Sequence, residues 1–331
     1  MRTARDNVLI RLFCSFLSLL FLVGFSIIQT YATGPEYPNR PITLVVSFPI
    51  GGPGDLSARV VAEAMEKHLK QPVVVVCKPG GSQTVGGYSL VSAKPDGYTL
   101  GFFTAASSIP EVFSYFYEAP YSSKDLGAIC RIMEPIQVIT VKGDAPWNSL
   151  KDFVDFARKN PGLKWATHGK SSLGYLVMVT INKTDKINLV HVPLEGDAKI
   201  VTSILGEHIS AGTPIYPAVK SLLDAKKLKA LAVNLEKRAA VAPEIPTVVE
   251  LGYKLAFVSH FGIFAPKGVP DEVVKKIDQV AHKIAEEQDF KTKVNQLGVQ
   301  VSYETTASFE KSLIHYKEGL QSFFKEEGLV K

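Results

Sequence analysis

Two constellations in the sequence carry residue types that could do chemistry. The first is Phe48-Pro-Ile-Gly-Gly-Pro-Gly-Asp-Leu-Ser-Ala-Arg59, which follows an apolar run over residues 42–47. Gly52, Gly54 and Ser57 fall at the G-x-G-x-x-S spacing of a dinucleotide fingerprint, in which bare backbone approaches a pyrophosphate. The fingerprint fails downstream, because the second strand-like run ends in Cys77-Lys78, where an acidic residue is needed for the ribose hydroxyls. The second constellation is His168-Gly-Lys-Ser-Ser172, with Asp197 further on. Gly169-Lys170-Ser171 imitates the end of a phosphate loop, but Lys164 stands where that loop needs its first glycine. His168, Ser171, Ser172 and Asp197 also supply the residue types of nucleophilic hydrolysis, without a G-x-S-x-G elbow. The histidines at 68, 168, 191, 208, 260, 282 and 315 show no ligand spacing, so neither a metal nor a cofactor is expected.

What both turns share is simpler. Each follows an apolar run, is rich in glycine and opens a helical pattern, so bare N–H groups and a helix N-terminus face one point. That is a site for a carboxylate or a similar anion, and it needs no buried arginine.

The elements that would hold these turns alternate along the chain. Strands are expected at 43–48, 73–77 and 98–104, with helices at 55–69 and 84–94 between them. Leu56, Val60, Val61, Ala64, Met65 and Leu69 return at three- and four-residue steps, and Asp55 is placed to cap their helix. A second unit begins near Ile139, with helix 149–160, strand 163–167 and helix 173–180. Further strands are expected at 188–192, 208–212, 228–233 and 258–264, and further helices at 198–205, 218–225, 271–287, 288–297 and 308–326. Alternation of this kind predicts an α/β fold with parallel sheets covered by helices.

Length and composition agree with a globular chain: 331 residues, 46% hydrophobic and 21% charged, are enough for two cores. Residues 1–32 read as an export signal, since Arg2, Arg5 and Arg11 precede an apolar stretch and Thr30-Tyr-Ala32 offers small residues for cleavage. An uncleaved anchor is the alternative. Loss of that segment would take the net charge from +5 to +3, a mild balance that argues against a nucleic-acid surface. Cys77 and Cys130 would remain in a compartment that permits disulfides.

The run from Tyr37 to Arg59 resembles the opening signature of the extracytoplasmic solute receptors of tripartite tricarboxylate transporters, the Bug-type receptors. The resemblance continues through Lys94-Pro-Asp-Gly-Tyr-Thr-Leu100, residues 152–161, His191-Val-Pro-Leu-Glu-Gly196, residues 228–238, residues 243–252 and Phe261-Gly-Ile-Phe-Ala-Pro-Lys-Gly-Val-Pro270. It implies a two-lobed periplasmic-binding-protein (Venus-flytrap) fold, each lobe a mostly parallel sheet flanked by helices. Residues 35–140 plus 260–331 would form the first lobe and 141–259 the second. It further implies a periplasmic or extracytoplasmic monomer that performs no catalysis. Such a protein closes on a carboxylated small molecule, a di- or tricarboxylate or related organic acid, and delivers it to large and small integral-membrane subunits.

By the same resemblance, the ligand carboxylate is held by main-chain N–H groups and water. The positions implied are Phe48, Ile50, Gly51, Gly52, Gly54 and Asp55 in one lobe, and His168, Gly169, Lys170, Ser171 and Ser172 in the other. Ala105, Ser107 and Ser108, then Pro193, Gly196 and Asp197, then Gly212 and Thr213, would line the remaining cavity. The sequence departs from its relatives at His168 and Lys170, where a small uncharged turn is common, and at His260, where many have Trp. Lys170 or His168 could meet a second acidic group, and Asp197 could accept the amine of an acidic amino acid. A secreted serine hydrolase and a ligand-presenting sensor module are the alternatives.

Overall fold

The structure is a computed structural model and describes residues 37–114, 116–194, 196–254, 259–326 and 328; the export signal expected over 1–32 lies outside them. Residues 40–331 make one compact unit. The chain begins with β1 (Ile42–Val46), α1 (Pro53–Leu69), β2 (Val73–Cys77), α2 (Thr84–Val91), β3 (Thr99–Phe103) and the single turn α3 (Ala105–Ser108). A long strand, β4 (Leu126–Pro135), leads directly into β5 (Val138–Lys142). Next come α4 (Leu150–Lys159), β6 (Lys164–Thr167), α5 (Leu173–Asp185), β7 (Val190–Pro193), α6 (Asp197–Leu205), β8 (Ala211–Gly212), α7 (Tyr216–Asp224) and β9 (Leu228–Val233). The chain closes with β10 (Phe261–Pro266), α8 (Asp271–Glu286), α9 (Gln288–Gln296), β11 (Val299–Glu304) and α10 (Thr306–Glu326).

Two sheets result, in the orders β11-β4-β10-β3-β1-β2 and β7-β6-β8-β5-β9. Both are mixed. Parallel pairing joins β1 to β2 and β3, and β6 to β7 and β8, while β10, β11 and β5 pair antiparallel with their neighbours. The cause is the crossing between sheets. β4 leaves the first sheet at the edge where β1 and β3 also end, so β5 enters the second sheet from that edge and must run against β6 and β8. The returning β10 enters the first sheet from the same edge and is reversed for the same reason. The strands change sheet at Ile136 and Gln137, slightly ahead of residue 140.

Most expected elements are present within a few residues, and β2 and β9 have the expected bounds. The expected strand over 208–212 shrinks to Ala211–Gly212, and the helix expected over 173–180 continues to Asp185. β4 and β11 were not expected. β4 carries Arg131 and Glu134 within an apolar run, and the partners that make these charges tolerable come from the far end of the chain: Arg131 Nη2 lies 3.0 Å from Glu304, and Glu134 accepts from Gln300 at 3.2 Å.

Aromatic side chains fill the first lobe, with Phe103 stacked on Phe264 at 5.9 Å and Phe309 5.5 Å from Phe264. A larger apolar cluster joins the two lobes: Ile109 and Phe113 following α3, Leu173 and Leu176 of α5, and Leu320 and Phe324 of α10 are all buried within it. Among the described residues no helix is long and apolar enough to cross a membrane.

Candidate functional site

The carboxyl edge of the first sheet is built around the turn from β1 to α1. Gly51 adopts φ +77°, a conformation that glycine reaches without steric cost. Its N–H donates to Asp55 Oδ2 at 2.8 Å. Asp55, 1% exposed, also pairs with Arg59 at 3.0 Å and accepts from Cys77 Sγ at 3.2 Å. Burial pushes its carboxyl up, but the Gly51 N–H, Arg59 and Cys77 outweigh that and hold it below the ordinary value. The Asp55 side chain therefore braces the turn from within. Gly52 caps α1 and Pro53 opens it; Leu56 N–H already bonds Gly52 O at 3.0 Å. Gly54 and Asp55 consequently hold the first-turn N–H groups that have no acceptor in the helix by position.

Phe48 covers this turn. A Cβ on Gly54 would lie 2.4 Å from its ring, and the ring meets Phe261 edge-on at 5.7 Å. Ile50, by contrast, is 79% exposed. Ala105, Ser107 and Ser108 are buried at the end of β3. Ser107 Oγ donates to Ser47 Oγ at 3.1 Å and lies 3.2 Å from Gln83 O. Ser108 Oγ is 3.2 Å from His260 Nε2, and His260 itself is buried against Phe309 and Tyr316. These hydroxyls serve the interior of the first lobe.

Sequence reasoning passed over Gln83. It sits at φ +78° in the loop after β2, next to Ser82 at φ +52°, and both are strained for residues with a side chain. Thr104 Oγ1 donates to Gln83 Oε1 at 2.7 Å, which ties the loop to the end of β3. Its one sequence signal was the Gly80-Gly81 pair before it.

The second edge carries the turn from β6 to α5. Gly169 takes φ +130° and its carbonyl collects three donors: Thr167 Oγ1 at 3.2 Å, Ser172 Oγ at 2.7 Å and Ser172 N at 3.1 Å. Ser172 is the N-cap of α5, accepting from Tyr175 N at 3.3 Å. With its proton on a carbonyl and its lone pair on an amide, Ser172 is a cap. His168 Nε2 lies 2.9 Å from Asp197 Oδ1, and the same oxygen accepts from Ile215 N at 2.8 Å. His168 and Asp197 thus occupy each other.

Lys170 is exposed at the tip of the turn, with Nζ 5.7 Å from the centre of the Phe116 ring, within cation–π range. Next to it, His191 Nε2 is 2.8 Å from Thr167 Oγ1. Burial first, and then the Lys170 charge, lowers the His191 pKa to about 4, so this ring is neutral at physiological pH. Pro193, the last residue of β7, and Gly196 beyond it are exposed. Gly212 and Thr213 lie inside, with Gly212 packed under Ile200 and Thr213 fully buried. The second edge brings together the whole turn with Asp197, and the first brings together residues 48–55. No group of three potential metal ligands occurs among the described residues.

Cys77 and Cys130 are both free thiols. They lie on β2 and β4, which β10, β3 and β1 separate. Burial and then Asp55 push the Cys77 thiol up to about 11, so it is a hydrogen-bond donor and a poor nucleophile.

The family model described as "Tripartite tricarboxylate transporter family receptor" matches residues 57–319. A Cupriavidus necator protein, described as a UPF0065 protein in the gbd 5′ region, is 26% identical over 93% of this chain and 94% of its own. Among solved structures, a TctC solute-binding protein from Polaromonas is 28% identical, covering 88% of this chain and 99% of that one with a TM-score of 0.73. MatC from Rhodopseudomonas palustris with bound malate shares the fold at 24% identity, covering 89% of this chain and 100% of that one, with a TM-score of 0.70.

Proposed function

From the premise that this chain belongs to the tripartite tricarboxylate transporter receptor family, we propose that it is an extracytoplasmic receptor which captures a carboxylated small molecule between its lobes. It hands that molecule to the large and small membrane subunits of a tripartite permease. The observation that carries this reading is the pair of turns at the carboxyl edges of the two sheets, residues 50–55 and 168–172. Each combines a glycine at positive φ with a helix N-terminus, a geometry suited to an anion. Topology supports it, because ligands of open α/β sheets bind outside the carboxyl ends of the strands, and the crossover from β4 to β5 lies at both such edges.

In this reading the N–H groups of Gly54 and Asp55 hold one carboxylate from the first lobe, and the turn of Gly169 to Ser172 closes over it from the second. Lys170 supplies positive charge at the tip. Asp197 braces His168 and Ile215 through Oδ1. The capping role of Ser172 favours a receptor over a serine hydrolase.

Isothermal titration against a panel of mono-, di- and tricarboxylates tests the proposal. At least one dicarboxylate or tricarboxylate should bind with micromolar or tighter affinity, and Lys170→Ala should weaken it several-fold by removing one exposed charge. Binding only of neutral or cationic solutes, with no response to any carboxylate, would overturn it.

A further inference from the structure

The loop from β2 to α2 holds a side chain where the backbone favours none. Gln83 stands at φ +78° and Ser82 at φ +52°, directly after Gly80 and Gly81, which are also at positive φ. Glycine takes such a conformation without steric cost, and a strained residue with a side chain persists where that side chain has a task. The loop uses glycine twice, yet it carries side chains at the next two positions.

That loop lies across the carboxyl ends of three strands. β1 pairs in parallel with both β2 and β3, so all three end at one edge, the edge of the turn over 48–55. Thr104 directly follows β3 and donates to Gln83 Oε1 at 2.7 Å. Ser107 Oγ lies 3.4 Å from the same oxygen and 3.2 Å from Gln83 O, and it bonds Ser47 Oγ, just past the end of β1. Gln83 therefore reaches from β2 over the end of β1 to β3, on the edge that carries the first anion turn.

These contacts also fix the sense of its amide. With Oε1 occupied by a hydroxyl donor, Nε2 and its two N–H groups face the other way. Nε2 bonds no described residue, and it is not one of the unpaired polar atoms sealed from solvent. Gln83 as a whole is half-buried, so its stem is held while its donors stay accessible.

We infer that Gln83 contacts the ligand from the first lobe, donating through Nε2 to an oxygen of the bound carboxylate. A group that can only donate at this point suits an acceptor oxygen and leaves an ammonium unmatched. The inference rests on the receptor reading above. It adds a side-chain contact to a lobe where that reading has main-chain N–H groups alone.

The test titrates acetate, succinate, malate, glutarate, adipate and citrate into the full chain and carries the tightest binder forward. Gln83→Gly should weaken that acid about tenfold or more, the loss of one hydrogen bond to a charged group. The same variant should leave the unfolding midpoint of the ligand-free protein unchanged or raised, because glycine relieves the strained backbone. A residue with only a structural role would lose both together. Gln83→Glu keeps the acceptor for Thr104 but removes the donors and adds a negative charge, so binding at pH 7 should fall further. Relative to the unaltered protein at each pH, it should recover towards about pH 4.3, the ordinary glutamate value, where the protonated acid donates again. Affinity unchanged in either variant would overturn this inference and leave the receptor reading standing. So would a midpoint that falls with affinity in Gln83→Gly, or a loss in Gln83→Glu that persists at low pH. Absence of binding by all six acids would overturn both.

Discussion

Asp55 shows how a side chain can matter to a proposed binding turn without itself being offered to the ligand. Its carboxylate joins Gly51, Arg59 and Cys77, and so fixes the path of the chain at the point where the free N–H groups are presented. Because its folded pKa is lowered, its contribution is present above the ordinary carboxylate value of about 4 and is lost as pH falls through the lower folded value. Asp55→Ala should cost about 2 kcal/mol at pH 7, the scale of hydrogen bonds to a charged group. Denaturant unfolding of both proteins should show that gap narrowing below pH 4. At this scale the sequence was partly legible. Gly51 and Gly169 announced turns through their neighbours, and Asp55 read as a helix-terminal acid. Its three partners did not, since Cys77 is brought to it by the pairing of β2 with β1. Ser107 and Ser108 read as cavity-lining residues, but their hydroxyls turn inward to partners from distant segments.

At the scale of elements, the fit of α5 against β8 sets how close the second turn comes to its sheet. Gly174 lies so near Thr213 that an added Cβ would stand 2.1 Å from its hydroxyl oxygen and 2.7 Å from its Cβ. Thr213 is fully buried and bonded to Ala166 O through its amide at 3.0 Å, so the helix has to give way. Gly174→Ala should destabilise the protein by about 1–3 kcal/mol, the cost of overpacking, and should weaken carboxylate binding as the N-terminus of α5 lifts. Parallel measurements of unfolding midpoint and of affinity check it; an unchanged affinity would show that the turn does not depend on this contact. Helices of this kind were readable because their apolar stripes and caps are local, as in α4, where Ser149 accepts from Asp152 N at 3.1 Å. β4 and β11 were not, because charges within a strand make sense only beside the partners that another strand brings.

For the molecule as a whole, the crossover from β4 to β5 is the place where both sheets share a boundary, and Glu134 stands beside it. Burial raises its pKa, Gln300 and Arg131 pull against that, and the like charges of Glu236 and Glu304 add to the rise. A carboxylate with a raised folded pKa weakens the fold as pH climbs from its unfolded value, about 4.3, through its folded value. Glu134→Gln should therefore raise the unfolding midpoint at pH 7 and lose that advantage near pH 4, with thermal unfolding across this range as the measurement. The two-lobed plan could be anticipated from the two strand-turn-helix units. The antiparallel members of each sheet could not, because they follow from which edge the chain uses to cross.

That crossing also dictates an order of events in time. β10 is flanked by β4 and β3 in the first sheet, yet it is made only after the whole of the second sheet. Until it arrives, β3 and β4 present unpaired edges to one another across a missing strand, the kind of edge that invites wrong partners. The second sheet draws all its strands from one continuous stretch, 138–233, and can form early, whereas the first must wait for long-range pairing, the slow class of folding step. A chaperone that holds this chain during synthesis would find its task concentrated on the strands between Ile42 and Pro135, and would be free to release them once β10 had docked.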